Sequence, residues 1–290
     1  MATSRGAKKW PWLINLFHRL INGSTEEKNA WRTARLDLNP YAWVSGRQPH
    51  LDRLVALVML GWGFVWALVW SRESFSVSVD PWTINLCLMT LQYPLKLWIA
   101  GRACHRLVED RRSGAFELLL STPLTPKDIL AGQRLALRSQ FGAPLAGMFF
   151  VELLLFLMGL PGARSMNTTA TWAVFGAANI IVAGVDIWAL VWVGMAHTLT
   201  AKSPAKAAAW SVAKIIPLPW FCAWTLIIVA SILPFRVLSQ AIDLDEKFFI
   251  VFVSVVFIIN DLFWGLLAKR RLGRDFSHAA MAGVEPRQKR

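Results

Sequence analysis

Asn85, Gln92, Lys96, Glu152, Asp186, Lys214 and Asp261, the last beside Asn260, all fall in or at the edges of apolar stretches of this sequence. A charge at the centre of a bilayer costs about 2.5–3.5 kcal/mol on insertion scales, so each such residue needs a partner, a wet surface or a function. Asn85, Gln92 and Lys96 follow one another at intervals of seven and four and therefore share one helix face. Two kinds of chemistry fit these residue types. One is a polar pathway through the membrane. The other is a set of pairs between helices, such as Lys96 with Glu152 or Asp186. A blander alternative has Lys96 snorkelling to the interface while the carboxylates stitch a bundle together. Nothing here selects a substrate chemistry, so pairing is preferred to substrate contact.

Enzyme chemistry finds little footing. A phosphate-cradling GxxxxGK[ST] loop requires a Gly-Lys pair, and the sequence has none. ATP hydrolysis is therefore expected on another polypeptide. His18, His50, His105, His197 and His278 are scattered without HExxH spacing, and no GxSxG elbow occurs. Cys87, Cys104 and Cys222 lack CxxC spacing and lie in or beside apolar segments, so they read as small buried apolar residues. Neither a metal site nor a catalytic residue is expected, and the chain is not expected to be an enzyme.

The elements that must position these groups are membrane spans. Of the 290 residues, 55% are hydrophobic and 17% charged, with a mean hydropathy of +0.43. Soluble domains carry about 25% charged residues. The sixteen Trp suit a membrane–water interface. The net charge of +13 flanks apolar segments and forms no continuous patch, which argues against nucleic acid.

Six spans are predicted: Leu54 to Ser71, then one entered through Asp80-Pro81, then Phe141 to Leu160 and roughly Thr171 to Leu199. A fifth is entered through Ser203-Pro204 and ends near Leu233, and the sixth runs from Phe248 to Ala268. Pro217 and Pro219 should break or kink the fifth. No cleavable signal peptide is expected, because the first long apolar run begins only at Leu54, after a charged leader. Counted along the leader, the successive connections and the tail, Lys and Arg number nine, one, seven, one, three, two and seven. By the positive-inside rule this alternation puts both termini in the cytoplasm. The expected fold is thus all-α and polytopic: a basic leader over 1–53, a six-span transmembrane domain over 54–268 and a basic tail over 269–290. In the leader, WPWLINLFHRLI (Trp10 to Ile21) suits an amphipathic helix lying on membrane lipid.

One cytoplasmic stretch, RRSGAFELLLSTPLTPKDILAGQ (111–133), is too greasy for a loop and too short to span. Its apolar part as a helix reaches about 14 Å, against a bilayer core of about 30 Å. Gly114 should end the preceding helix. A short helix follows from Ala115, with Phe116, Leu119 and Leu120 on one face. Thr122-Pro123 interrupts it, and Thr125 caps a new helix with Pro126 first and Asp128 third. The result is a helix–break–helix elbow whose apolar face suits a partner groove, rimmed by Arg111, Arg112 and Glu117. A helix resting on lipid headgroups is the plainer reading.

The longer string EDRRSGAFELLLSTPLTPKDILAGQ (109–133) resembles the cytoplasmic segment between the second and third spans of type-2 ABC exporter permeases. Glu109, Arg112, Gly114, Glu117, Leu118 to Leu120, Thr122-Pro123-Leu124, Ile129 and Gly132 match that family's pattern. Ala115-Phe116 stands in place of the usual Thr-Leu, and Gln133 in place of Lys. AKRRLGRDF (Ala268 to Phe276) resembles the family's basic close, and Asn39-Pro40-Tyr-Ala-Trp43 an element that precedes the first span in some members.

The resemblance implies the membrane-spanning permease half of an ATP-driven exporter, in the plasma membrane (for a bacterium, the inner membrane). It works as a homodimer or as a heterodimer with a second permease half. Its partner is a cytoplasmic ABC-type ATPase subunit that binds ATP and Mg, while this chain binds no cofactor. Arg112, Gly114, Phe116, Glu117, Leu119, Leu120, Pro123, Leu124 and Ile129 are then the residues of the coupling element. Gln92, Lys96, Glu152, Asp186 and Asp261 are the intramembrane polar set. The rival expectation is a non-transporting membrane scaffold or anchor that recruits a cytoplasmic protein through the same elbow.

Overall fold

The computed structural model of the chain describes residues 39–45, 57–66, 68, 81–159, 166–232 and 246–281. Every regular element among them is an α-helix. These are α1 (Pro40–Ser45), α2 (Leu57–Trp66), α3 (Pro81–Arg112), α4 (Ala115–Leu120), α5 (Pro126–Gly159), α6 (Met166–His197), α7 (Pro204–Ile215), α8 (Pro217–Ile232) and α9 (Glu246–Met281). The leader segment Trp10 to Ile21 lies outside the described residues, and the first expected span is described only at α2 and Leu68.

Proline sets the helix starts. Pro40, Pro81, Pro126, Pro204 and Pro217 each occupy a first helical position, where the missing N–H is not needed. Ser203, in extended conformation, accepts from Lys206 N and caps α7. Ile216 interrupts the helix between α7 and α8, where the proline pair predicts a break. Elsewhere the helices outrun the expected spans. α5 is continuous from the elbow through the third span, and α9 carries on to Met281, so the first part of the basic tail is helical.

Among the described residues, four segments are long and apolar enough to cross a membrane: Pro126–Leu157, Thr169–His197, Pro204–Val229 and Phe248–Phe276. Their outward faces carry Phe150, Leu154, Ile181, Phe221, Ile228, Val255, Ile259 and Phe263, all exposed. A soluble protein would hide such a surface, whereas lipid tails are its natural solvent. The chain is accordingly described as a helical membrane protein.

α3 is the central pillar, packed against α5, α6 and α7. Leu88, Leu91, Leu95, Ile99, Ala103 and Leu107 are buried along it, with α5 supplying Leu137, Phe141 and Met148. The most extensive seam joins α6 to α9. A Cβ added at Gly265 would run into the indole of Trp188, which is itself packed against the core. Gly265→Ala is expected to destabilise the bundle by about 1–3 kcal/mol through overpacking. A melting temperature in detergent equal to that of the parent protein would refute this.

Candidate functional site

Two places combine unusual chemistry with defined geometry. One is a polar cluster inside the bundle, and the other is the elbow at its charged end.

The cluster is assembled by α3, α5, α6 and α9. Lys96 is 5% exposed and its Nζ is paired with Asp186 Oδ2. One turn earlier, Gln92 Nε2 donates to Glu152 Oε1 at 2.8 Å. The shared face expected for Gln92 and Lys96 is real, and each residue serves a different neighbouring helix. Lys96 does not snorkel. Of the two partners considered for it, Asp186 takes the ion pair and Glu152 takes the amide. Asp261 is fully buried and its carboxyl meets that of Asp186. Asn260 Nδ2 donates to Asp261 Oδ1 at 3.0 Å and to the Lys214 carbonyl at 2.9 Å, which ties α9 to α7. Lys214 Nζ lies 4.2 Å from the centroid of the Trp264 ring, a cation–π arrangement.

Beside the ion pair is a cavity of about 80 Å³. Gln92, Tyr93, Lys96, Asn179, Asp186 and Ser254 supply its polar wall, while Phe175, Trp220 and Phe257 supply an aromatic one. That volume admits a few waters. Ile216, at the break between α7 and α8, also lines it, so the helix discontinuity faces the polar cluster. The side chain of Asn85 lies outside the described ones. No group of His, Cys, Asp and Glu able to hold a metal ion is found among the described residues.

The elbow follows its predicted local chemistry closely. Gly114 has φ 75°, the left-handed region in which a helix can end on glycine. Thr125 and Asp128 cap α5 reciprocally. Thr125 N donates to Asp128 Oδ2 at 2.9 Å, and Asp128 N donates to Thr125 Oγ1 at 3.3 Å.

The partition of α4 differs from the expected face. Leu118 is the exposed position, at 72%, whereas Leu119 and, beyond the bend, Leu124 turn inward onto the core. The side chains of Phe116, Glu117 and Leu120 lie outside the described ones. Ile129 is buried among Leu107, Leu190 and Phe276, so it holds the elbow to the bundle and offers no outer surface. Arg112 and Pro123 are exposed. Arg111, expected at the rim, instead reaches across to the end of α6. Its guanidinium donates to the carbonyls of Thr198, at 2.7 Å, and of Leu199. Those carbonyls lie in the turn just past the end of α6, where helical partners are missing.

Sequence reasoning placed the Asn39–Trp43 element before a span but missed what it does. Asn39 caps α1 by accepting from Tyr41 N at 2.9 Å, and its Nδ2 donates to the Asp128 carbonyl at 3.0 Å. Tyr41 is fully buried, and its hydroxyl donates to Asp110 Oδ2 at 2.9 Å. Burial pushes the Asp110 carboxyl above its ordinary range, although Arg106 and the Tyr41 hydroxyl pull it down. Burial, followed by the charge of Asp110, pushes the Tyr41 phenol well up. Gly132 makes the docking possible, because a Cβ there would come within 2.6 Å of Asn39 Oδ1 and 2.9 Å of Ala42 N. The only sequence sign of this joint is that Asn39-Pro40 and Gly132 each fall in a short recognisable motif; their contact, across some ninety residues, is not readable from the chain.

No family model, curated protein or solved structure matches this chain.

Proposed function

We propose that the chain is the membrane-spanning permease subunit of an ATP-binding-cassette exporter, with the elbow as its contact to a separate ATPase. The observation that carries the reading is α4 itself, a short helix fixed to the bundle core through Leu119 and Leu124 while Leu118 points outward. A helix that is rigidly backed and apolar outside can transmit a push from a partner into α3 and α5, the helices on either side of it. The ATPase supplies nucleotide chemistry with ATP and Mg, which this sequence has no loop to bind. In this reading the chain has six spans with both termini in the cytoplasm of a bacterial cell, lies in the inner membrane, and pairs with a second permease half, identical or similar. The positive-charge alternation supports the orientation.

The test is to look for a GxxxxGK[ST] ATPase in the neighbouring reading frames and to co-express any found there, followed by purification and ATP turnover in vesicles. Leu118→Asp, at an exposed position, is expected to leave the fold intact and weaken ATPase capture at least about tenfold, as for an interface anchor residue. Phe116→Asp should act likewise. Capture unaffected by both changes would sink the coupling role. Capture that depends on Leu118 but leaves turnover unchanged would favour the rival, an anchor that recruits without transporting.

A further inference from the structure

The carboxyl groups of Asp186 and Asp261 meet inside the bundle, 3% and 0% exposed. Each has one oxygen with no hydrogen-bond donor, Asp186 Oδ1 and Asp261 Oδ2. Their other oxygens are occupied, Asp186 Oδ2 by Lys96 Nζ and Asp261 Oδ1 by Asn260 Nδ2. Two ionised carboxylates in contact repel, and a buried carboxylate without a counter-charge costs several kcal/mol. Lys96 carries one positive charge for the two acids. One added proton removes the repulsion, supplies the missing donor and brings the trio to neutrality.

We propose that Asp186 and Asp261 form a proton-binding site, in which a single proton is shared between the two carboxyl groups beside Lys96. Binding is a protonation only: a hydronium ion in the adjoining cavity gives up one proton to the carboxylate pair and leaves as water, and release reverses it. A metal cation fits less well. It would lie next to the Lys96 ammonium, and the cluster lacks the ligand set for one. The other titratable side chains near the cluster are Tyr93 on α3, which lines the same cavity as Lys96 and Asp186, and Glu152 on α5, held by Gln92 one turn from Lys96; the Lys214 ammonium on α7 is turned to the Trp264 ring. Glu152 has its own donor in Gln92 and one unpartnered oxygen, Oε2, so its protonation must be separated from that of the pair. The proposal does not depend on the identity of any ATPase or cargo.

The test is infrared difference spectroscopy of the full-length chain in lipid nanodiscs, in a Glu152→Gln background that removes the competing carboxyl. A protonated-carboxyl C=O band is expected at neutral pH, shifted in D₂O, and lost in Asp261→Asn. That variant should keep its melting temperature, because the amide can give Asp186 Oδ1 the hydrogen bond the proton now gives. Asp261→Leu, with no donor, should melt lower. A neutral-pH band that is absent, or that survives both Asp261→Asn and Asp186→Asn, overturns the proposal. So does a band abolished by sodium at constant pH, which would make this a cation site.

Discussion

Lys96→Met is expected to destabilise the protein by about 3–5 kcal/mol, the cost of leaving a buried charge without its partner. Methionine is close to lysine in length and apolar volume, so packing beside the Tyr93 ring is largely kept. What is lost is the ammonium that neutralises Asp186, a carboxylate only 3% exposed. The double change Lys96→Met with Asp186→Leu removes both charges and should recover most of the loss, because replacing a buried pair by apolar groups is often neutral or better. Unfolding in detergent, followed by intrinsic Trp fluorescence across the four members of the cycle, measures the coupling. A snorkelling lysine predicts something quite different, a loss within about 1 kcal/mol for the single change and no recovery in the double. Additive effects would therefore refute the pairing in this bundle.

The legible parts of this protein were those set by local chemistry. Pro81, Pro126 and Pro204 start helices because ring closure fixes φ, and Gly114 ends one because only glycine enters the left-handed region at no cost. The Thr125–Asp128 cap spans three residues and was readable for the same reason. Gln92 and Lys96 could be assigned to one face by spacing alone. Spacing could not say which acid each would meet, since that depends on how α3, α5, α6 and α9 are rotated about their axes. The inward turn of Leu119 and outward turn of Leu118 were hidden similarly. In a six-residue helix, three neighbouring leucines leave the apolar face ambiguous until a core lies on one side. Arg111 was misjudged because its partners are backbone carbonyls in the turn after α6, and backbone acceptors leave no mark in a sequence.

Gly132→Val should release α1 from the bundle while leaving the spans folded. The new side chain would collide with Ala42 N and the Tyr41 Cβ, one of them backbone that cannot yield by changing rotamer. Overpacking of this kind costs about 1–3 kcal/mol. Undocking also strips the Tyr41 hydroxyl from Asp110 and the Asn39 amide from the Asp128 carbonyl, at about 1–3 kcal/mol for each group left buried and unsatisfied. A six-residue helix has almost no stability of its own, so α1 should melt once detached. Hydrogen exchange with mass-spectrometric readout should show residues 40–45 losing protection in the variant, with α6 and α9 unchanged. Asn39→Ala should produce a weaker version of the same pattern. Protection of α1 retained in Gly132→Val would mean that the joint tolerates a Cβ and that Gly132 has no packing role. The consequence for coupling is separate and also measurable. Asn39 bonds to the first turn of α5, immediately after the elbow, so releasing α1 loosens the start of the helix that follows α4. If α4 transmits force, partner ATPase turnover should fall in Gly132→Val even though Leu118, the proposed contact, is untouched.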